Sequence, residues 1–241
     1  MEKLDGHRVK MLSKIRGIYT IIEFVVTVLM VIVLMYIFRH STHTIRKTWA
    51  WMQTYLMNFS IKKTGNPLES ATLLVMNHQS LIDIVALEKI YPKDLCWIAK
   101  KEIRDIPLFG HIVSAPRMID IDRKDKRSII KMLKLSKERI EEGRVIAMFP
   151  EGTRGSGKTL LKFQSGAKIL AEKLELIVQP ALILGAKHVF DSQNLEAHSG
   201  EVHVIYLDPI NPKEDENWYE KLHQTMQERL AYELANNPSH R

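Results

Sequence analysis

A chain of 241 residues holds one large domain, or one domain with an appendage, and its 45% hydrophobic and 26% charged residues are those of a globular protein. The net charge of +7 favours an anionic partner such as acidic lipid, a phosphorylated substrate or nucleic acid. The single cysteine excludes an intramolecular disulfide framework and any cysteine-based zinc site; Cys96 lies in an apolar run that predicts a packing role.

In chain order, the first segment is almost continuously apolar from Ile18 to Phe38, interrupted by Glu23 and two threonines. As a helix it extends roughly 31 Å, about the thickness of a hydrocarbon core. It ends in Phe38-Arg39-His40 with no small-residue cleavage site, which predicts a retained membrane helix with Glu23 near one end, in reach of headgroups. Basic residues flank it evenly, so charge asymmetry sets no orientation. Residues Ile45 to Phe59 mix Trp49, Trp51, Tyr55 and Leu56 with basic and polar positions, the pattern of an interfacial or partly inserted second helix. A true span and a hairpin entering one leaflet both fit; the balanced flanks favour the hairpin. Residues 1–60 are thus expected to anchor the chain and residues 61–241 to form an α/β domain.

After the turn Gly65-Asn66-Pro67, strand and helix patterns alternate. Strands are predicted at Thr72–Met76, Leu95–Ala99, Met118–Ile121, Val145–Phe149, Ile177–Leu184 and Val202–Tyr206. Helices are predicted at Ser80–Ile90, Arg127–Glu142, Ser165–Leu174 and Trp218–Leu234, the last with an apolar stripe at four-residue spacing. Such alternation means helices on both faces of a sheet.

Two segments carry chemistry. At the end of the first strand, Asn77-His78-Gln79-Ser80-Leu81-Ile82-Asp83 places an imidazole and a carboxylate where a strand gives way to a helix. Imidazole takes a proton near neutral pH, and a neighbouring carboxylate fixes its tautomer and stabilises its cation. Further on, Phe149-Pro150-Glu151-Gly152-Thr153-Arg154 puts an acid, a hydroxyl and a guanidinium on a tight turn, where arginine binds phosphate oxygens in pairs. A rival reading overlaps it: Gly152 to Thr159 satisfies the phosphate-loop pattern G-x-x-x-x-G-K-[ST], although Pro150 and Glu151 interrupt the required strand-to-loop entry and Phe163-Gln164-Ser165-Gly166 interrupts the helix.

Four blocks in order resemble the glycerolipid acyltransferase family, and within it the small bacterial 1-acyl-glycerol-3-phosphate acyltransferases. They are Asn77 to Asp83; Lys100-Lys101-Glu102-Ile103 with Ile106 to Gly110 and Ile119 to Arg123; Phe149 to Arg154; and Ile177-Val178-Gln179-Pro180. Phe163-Gln164-Ser165-Gly166 departs from the family's Phe-Lys-x-Gly. The resemblance implies a mixed, largely parallel sheet flanked by helices, with an N-terminal membrane-associated helical hairpin. It implies catalysis by His78 and Asp83, with Ser80 no nucleophile, and substrate contacts from Lys100, Lys101, Arg123, Glu151, Gly152, Thr153 and Arg154. Backbone N–H groups near Gly152 are the expected oxyanion donors. The implied reaction moves an acyl chain from acyl-CoA or acyl carrier protein to the sn-2 hydroxyl of lysophosphatidate, giving phosphatidate. It takes place at the cytoplasmic face of the inner membrane, with the bilayer as partner, no metal or other cofactor, and no nucleic acid. A different lysolipid acceptor, an acyl thioesterase, a phosphate-loop nucleotide hydrolase and a basic membrane adaptor are the alternatives.

Overall fold

The computed structural model describes residues 2–125 and 127–237. Helix α1 (Glu2–Ile37) turns through a single 3₁₀ turn at Arg39–Ser41 into α2 (Thr42–Leu56). Then follow strands β1 (Phe59–Thr64) and β2 (Leu73–Met76), helix α3 (Ile82–Ile90), strand β3 (Leu95–Lys100) and two short helices, α4 (Lys101–Arg104) and α5 (His111–Ser114). The chain continues through β4 (Ile119–Ile121), α6 (Arg127–Glu141), β5 (Val145–Met148), α7 (Gly166–Lys173) and β6 (Val178–Leu184). It closes with α8 (Ala186–Val189), β7 (Phe190–Asp191), β8 (Glu196–Ala197), β9 (Gly200–Tyr206) and α9 (Trp218–Asn236).

Seven strands form one sheet in the order β1-β9-β6-β2-β5-β3-β4. Five of them, β6, β2, β5, β3 and β4, are mutually parallel; β9 joins β6 antiparallel and β1 runs parallel to β9 at the edge. The sheet is therefore mixed and largely parallel. Strand β2 is buried at every position, as expected of a parallel strand covered on both faces. Alternation along β2 splits the core in two. Leu74 and Met76 pack with Val28, Val31 and Met35 of α1, Trp49 of α2 and Val85 of α3. Leu73 and Val75 pack with Met132 of α6, Leu170 of α7, and Trp218 and Met226 of α9.

Helices α1 and α2 form an antiparallel hairpin. Gln53 donates to Glu23 at 2.8 Å and to Thr27 Oγ1 at 2.9 Å, and Trp49 Nε1 donates to Thr27 Oγ1 at 3.1 Å. Glu23 thus turns inward to α2 instead of reaching a headgroup. Within the hairpin Arg16 donates to the Met57 carbonyl, just past α2, at 2.6 Å; α1 is seated on the α/β domain by Gly17, which lies against the Leu195 backbone, and by Tyr36, which bonds His111 Nδ1 at 2.6 Å. Between them Ile18, Ile22, Val26, Met30 and Val33 face outward, exposed. Lys10–Ile37 is long and apolar enough to cross a membrane.

Strand β1, helix α8 and the β7–β8 hairpin were not anticipated from the sequence. The first is an edge strand reading Phe-Ser-Ile-Lys-Lys-Thr, whose lysines hide its alternation. The others are too short to carry a period.

Candidate active site

The carboxyl ends of β2, β5, β3 and β4 lie along one sheet edge. The chain crosses there from one side of β2, through β3, β4 and β5, to the other at β6. Open α/β sheets bind ligands where the connections part in this way. Strand β2 delivers Asn77 and His78 to this edge. Asn77 clamps β6 with a two-way bond, its Nδ2 donating to the Ile183 carbonyl at 2.9 Å and its Oδ1 accepting from the Ile183 N–H at 2.7 Å.

Asp83, on the first turn of α3, is completely buried. Its Oδ2 accepts from the backbone N–H of Gln79 at 2.6 Å and of Ser80 at 2.8 Å. The same oxygen lies 2.8 Å from His78 Nδ1. A carboxylate accepts only, so this contact places the imidazole proton on Nδ1 and leaves the Nε2 lone pair free. The His78 ring stacks on Phe149 at 3.9 Å and 11°, and Phe149 stacks on Trp97 at 5.4 Å. Both the tautomer and the plane of the ring are therefore fixed. Ser80 Oγ is buried and donates to the Phe190 carbonyl at 2.6 Å, so its hydroxyl proton serves the fold.

Strand β5 brings the second segment against the first. Glu151 is buried, and its two oxygens accept from the backbone N–H of His78 at 2.8 Å and of Leu161 at 2.7 Å. Burial pushes its carboxyl above the ordinary value, against the pull of these two donors. In return the His78 carbonyl accepts from Gly155 at 2.8 Å. Gly152, at φ +72°, closes the turn; a side chain there would meet the Arg123 guanidinium at 2.2 Å. That absence of a Cβ lets Arg123 donate to the Gly152 carbonyl at 2.8 Å.

His78, Asp83, Glu151 and Gly155 thus form one hydrogen-bonded unit, with Arg123 seated on the adjoining Gly152 carbonyl. Arg154 points to the other flank, donating to Ser192 Oγ at 2.6 Å. Lys100 stands at the end of β3 with no side-chain bond among the described residues, whereas Lys101 faces Asp122 at 3.4 Å and is half exposed. Thr153 is exposed on the turn. The expected oxyanion donors near Gly152 are partly spent: its N–H goes to the Phe149 carbonyl at 3.0 Å, and that of Gly155 to His78. The phosphate-loop reading fails on geometry, because no helix follows Lys158 and Thr159 until α7 begins at Gly166.

An apolar cavity of about 210 Å³ opens between the hairpin, α3, β3 and α5, with Leu81, Ile84, Trp97, Phe109 and Val28 in its wall. Leu81 lies three residues beyond His78, and Trp97 belongs to the His78 stack. The sequence reading missed the aromatic stack, whose members come from three strands, Trp97 from within β3 and His78 and Phe149 from just beyond β2 and β5.

Fold and site define a class: an α/β enzyme with a buried carboxylate–imidazole pair between an apolar cavity and a cationic edge. The family described as Acyltransferase matches residues 58–184. Over 89% of this chain and 92% of its own length, a 1-acyl-sn-glycerol-3-phosphate acyltransferase of Helicobacter pylori is 37% identical. The chloroplastic 1-acyl-sn-glycerol-3-phosphate acyltransferase LPAT1 of Arabidopsis thaliana is 31% identical over 84% of this chain, which spans 61% of that longer protein. Among solved structures, the 1-acyl-sn-glycerophosphate acyltransferase PlsC of Thermotoga maritima shares the fold, with a TM-score of 0.73 over 92% of this chain and 95% of its own at 20% identity. The chain belongs to the acyltransferase family, and it is an enzyme.

Proposed function

We propose that this enzyme transfers an acyl chain from a thioester, acyl-CoA or acyl carrier protein, to the sn-2 hydroxyl of 1-acyl-sn-glycerol-3-phosphate, giving phosphatidate. The observation that carries the proposal is the His78–Asp83 pair, with its proton held on Nδ1 and Nε2 left free to accept. Nε2 takes the acceptor's hydroxyl proton while Asp83 stabilises the imidazolium. The freed oxygen attacks the thioester carbonyl, the carbon–sulfur bond breaks, and the departing thiolate takes the proton back from the imidazolium. No enzyme-bound ester is needed, in keeping with the buried and engaged Ser80. Glu151 holds the His78 backbone in place, and the transfer draws on no metal or redox group.

Arg123, Arg154 and Lys100 supply cations for the acceptor's phosphate, with Lys101 and Thr153 at the margin. The apolar cavity beside Leu81 and Trp97 suits an acyl chain. Both chemistry and product call for a bilayer. Gly17, against the Leu195 backbone, and Tyr36, bonded to His111, seat α1 on the same domain over about 30 Å of helix, so a helix crossing the bilayer with the domain left on one side does not suit it. The exposed apolar face of α1, with Trp51 and Tyr55 of α2, fits a hairpin sunk into one leaflet, here placed at the cytoplasmic face of the inner membrane.

The test is transfer from radiolabelled acyl-CoA to a panel of lysolipids in vesicles. Lysophosphatidate is expected to be the best acceptor. Arg154→Ala should raise the acceptor KM about tenfold or more with a smaller change in kcat. Thioester cleavage at full rate without any acceptor would make the enzyme a thioesterase instead.

A further inference from the structure

Ser156-Gly157-Lys158, the core of the phosphate-loop match, has no task in the transfer described above. In the fold it walls a second cavity, of about 250 Å³, together with Gln79, Lys187, His188 and His198. Gly157, at φ +82°, closes on Gln79; a Cβ there would come within 3.0 Å of the Gln79 amide oxygen. Gln79 is in turn fixed by its Nε2, which donates to the Ile183 carbonyl at 2.7 Å. His188 and His198 stack at 4.7 Å and 13°. Lys158 is exposed, and its ammonium has no bond or ion pair among the described residues, whereas Lys187 pairs with Asp191 at 3.2 Å.

Position gives this cavity its meaning. Gln79 lines the polar cavity and Leu81, two residues on, lines the apolar one, and His78 is Gln79's neighbour in the chain. An acyl thioester has the same division. On one side of its carbonyl is hydrocarbon; on the other is an arm of two amides, a hydroxyl and a phosphate. The wall offers both donors and acceptors, since the carboxylates of Asp191 and Glu196 share it with the lysine and histidine groups. Such a mixture suits amides and a hydroxyl better than it suits a bare anion. The free ammonium of Lys158 suits a phosphate at the mouth.

We propose that this cavity receives the phosphopantetheine arm of the acyl donor, with Lys158 meeting its phosphate. The arm is common to coenzyme A and to carrier protein. The assignment rests on the acyl-transfer reading and adds to it where the donor's polar half lies.

The experiment compares the full chain with Lys158→Glu and His198→Ala on three donors: an acyl-pantetheine without phosphate, an acyl-phosphopantetheine and an acyl-CoA. Lys158→Glu should raise KM about tenfold for both phosphorylated donors and leave the unphosphorylated one within twofold. His198→Ala should raise KM for all three, and the KM for lysophosphatidate should hold in both variants. An effect on acyl-CoA alone would move Lys158 to the nucleotide end and overturn the assignment. A rise in the acceptor KM would give the cavity to the acceptor, and no change in any KM would leave it without the donor. Calorimetric titration of phosphopantetheine, which lacks the nucleotide, separates this proposal from the functional one. Binding weakened in Lys158→Glu supports the cavity even if transfer to lysophosphatidate fails, and unchanged binding contradicts it.

Discussion

Asp83 binds three donors with a single oxygen, which decides how its amide variant behaves. In Asp83→Asn the amide oxygen takes the place of Oδ2 and keeps the bonds to Gln79, Ser80 and His78, while the buried Oδ1 has no partner to lose. The fold and the tautomer survive, and the negative charge that stabilises the imidazolium is gone. We expect kcat to fall by about 10²–10⁴ with little change in unfolding temperature, measured by transfer assay and thermal melt. Glu151 differs, because each of its oxygens serves one N–H. In Glu151→Gln an NH₂ group faces an N–H, at a cost of about 1–3 kcal/mol in thermal or denaturant unfolding. The pH dependence has the opposite slope to that of a salt-bridged acid. The folded carboxyl sits above its ordinary value of 4.5, so the folded state holds its proton more tightly than the unfolded chain does. The contribution of Glu151 to stability therefore falls as pH rises from 4.5 through the raised value. In melts from pH 4 upward, the stability of the wild type relative to Glu151→Gln should fall as pH rises. At this scale the reading of sequence goes as far as residues attached to strand ends. His78, Asp83 and the Glu151–Arg154 turn are visible because each follows an apolar run. The Phe149–Trp97 stack and the Arg154–Ser192 bond join separate strands and loops, and no local pattern records them.

Between elements, the docking of the hairpin depends on a buried charge cluster. Arg46 of α2 pairs with Glu88 of α3 and with Asp94 ahead of β3. Glu88 also accepts from Trp97 Nε1 at 2.7 Å, and Asp94 is held by Arg144 at 2.9 Å. Removing one partner of such a pair leaves an uncompensated charge, whereas removing both charges is far milder. Arg46→Met is expected to destabilise the protein by about 3–5 kcal/mol, and Arg46→Met with Glu88→Gln to recover most of that, since glutamine still accepts from Trp97. Denaturant unfolding of the two variants checks it. A single variant as stable as the double one would contradict the arrangement. Helices α3, α6, α7 and α9 and strands β2 to β6 and β9 are legible from periodicity and punctuation. Strand β1 was not, because as an edge strand it pairs only with β9 and carries Lys62 and Lys63 outward. That Arg46 is buried was equally invisible: its neighbours Arg39 and Lys47 suggest a solvated basic face, and only α3 supplies the partner.

For the whole molecule, one apolar cluster runs from the sheet through α3 into the hairpin, so the helices are part of the enzyme's core. The outer face of α1 is free of that duty. Met30→Asp and Ile22→Asp, both at outward positions, should lower co-sedimentation with lipid vesicles about tenfold or more while the unfolding transition stays within a degree or two. The long apolar run is legible in the sequence, but the seating of α1 on the domain at Gly17 and Tyr36 depends on Leu195 and His111, far away in sequence. In the proposed reaction His78 Nε2 removes the acceptor's proton in the step that transfers the acyl group. The most direct test is kcat of His78→Ala in vesicles with acyl-CoA and lysophosphatidate both saturating. We predict a fall of about 10²–10⁴ or more, with the fold intact by thermal melt. Transfer at the wild-type rate in that variant would contradict the account.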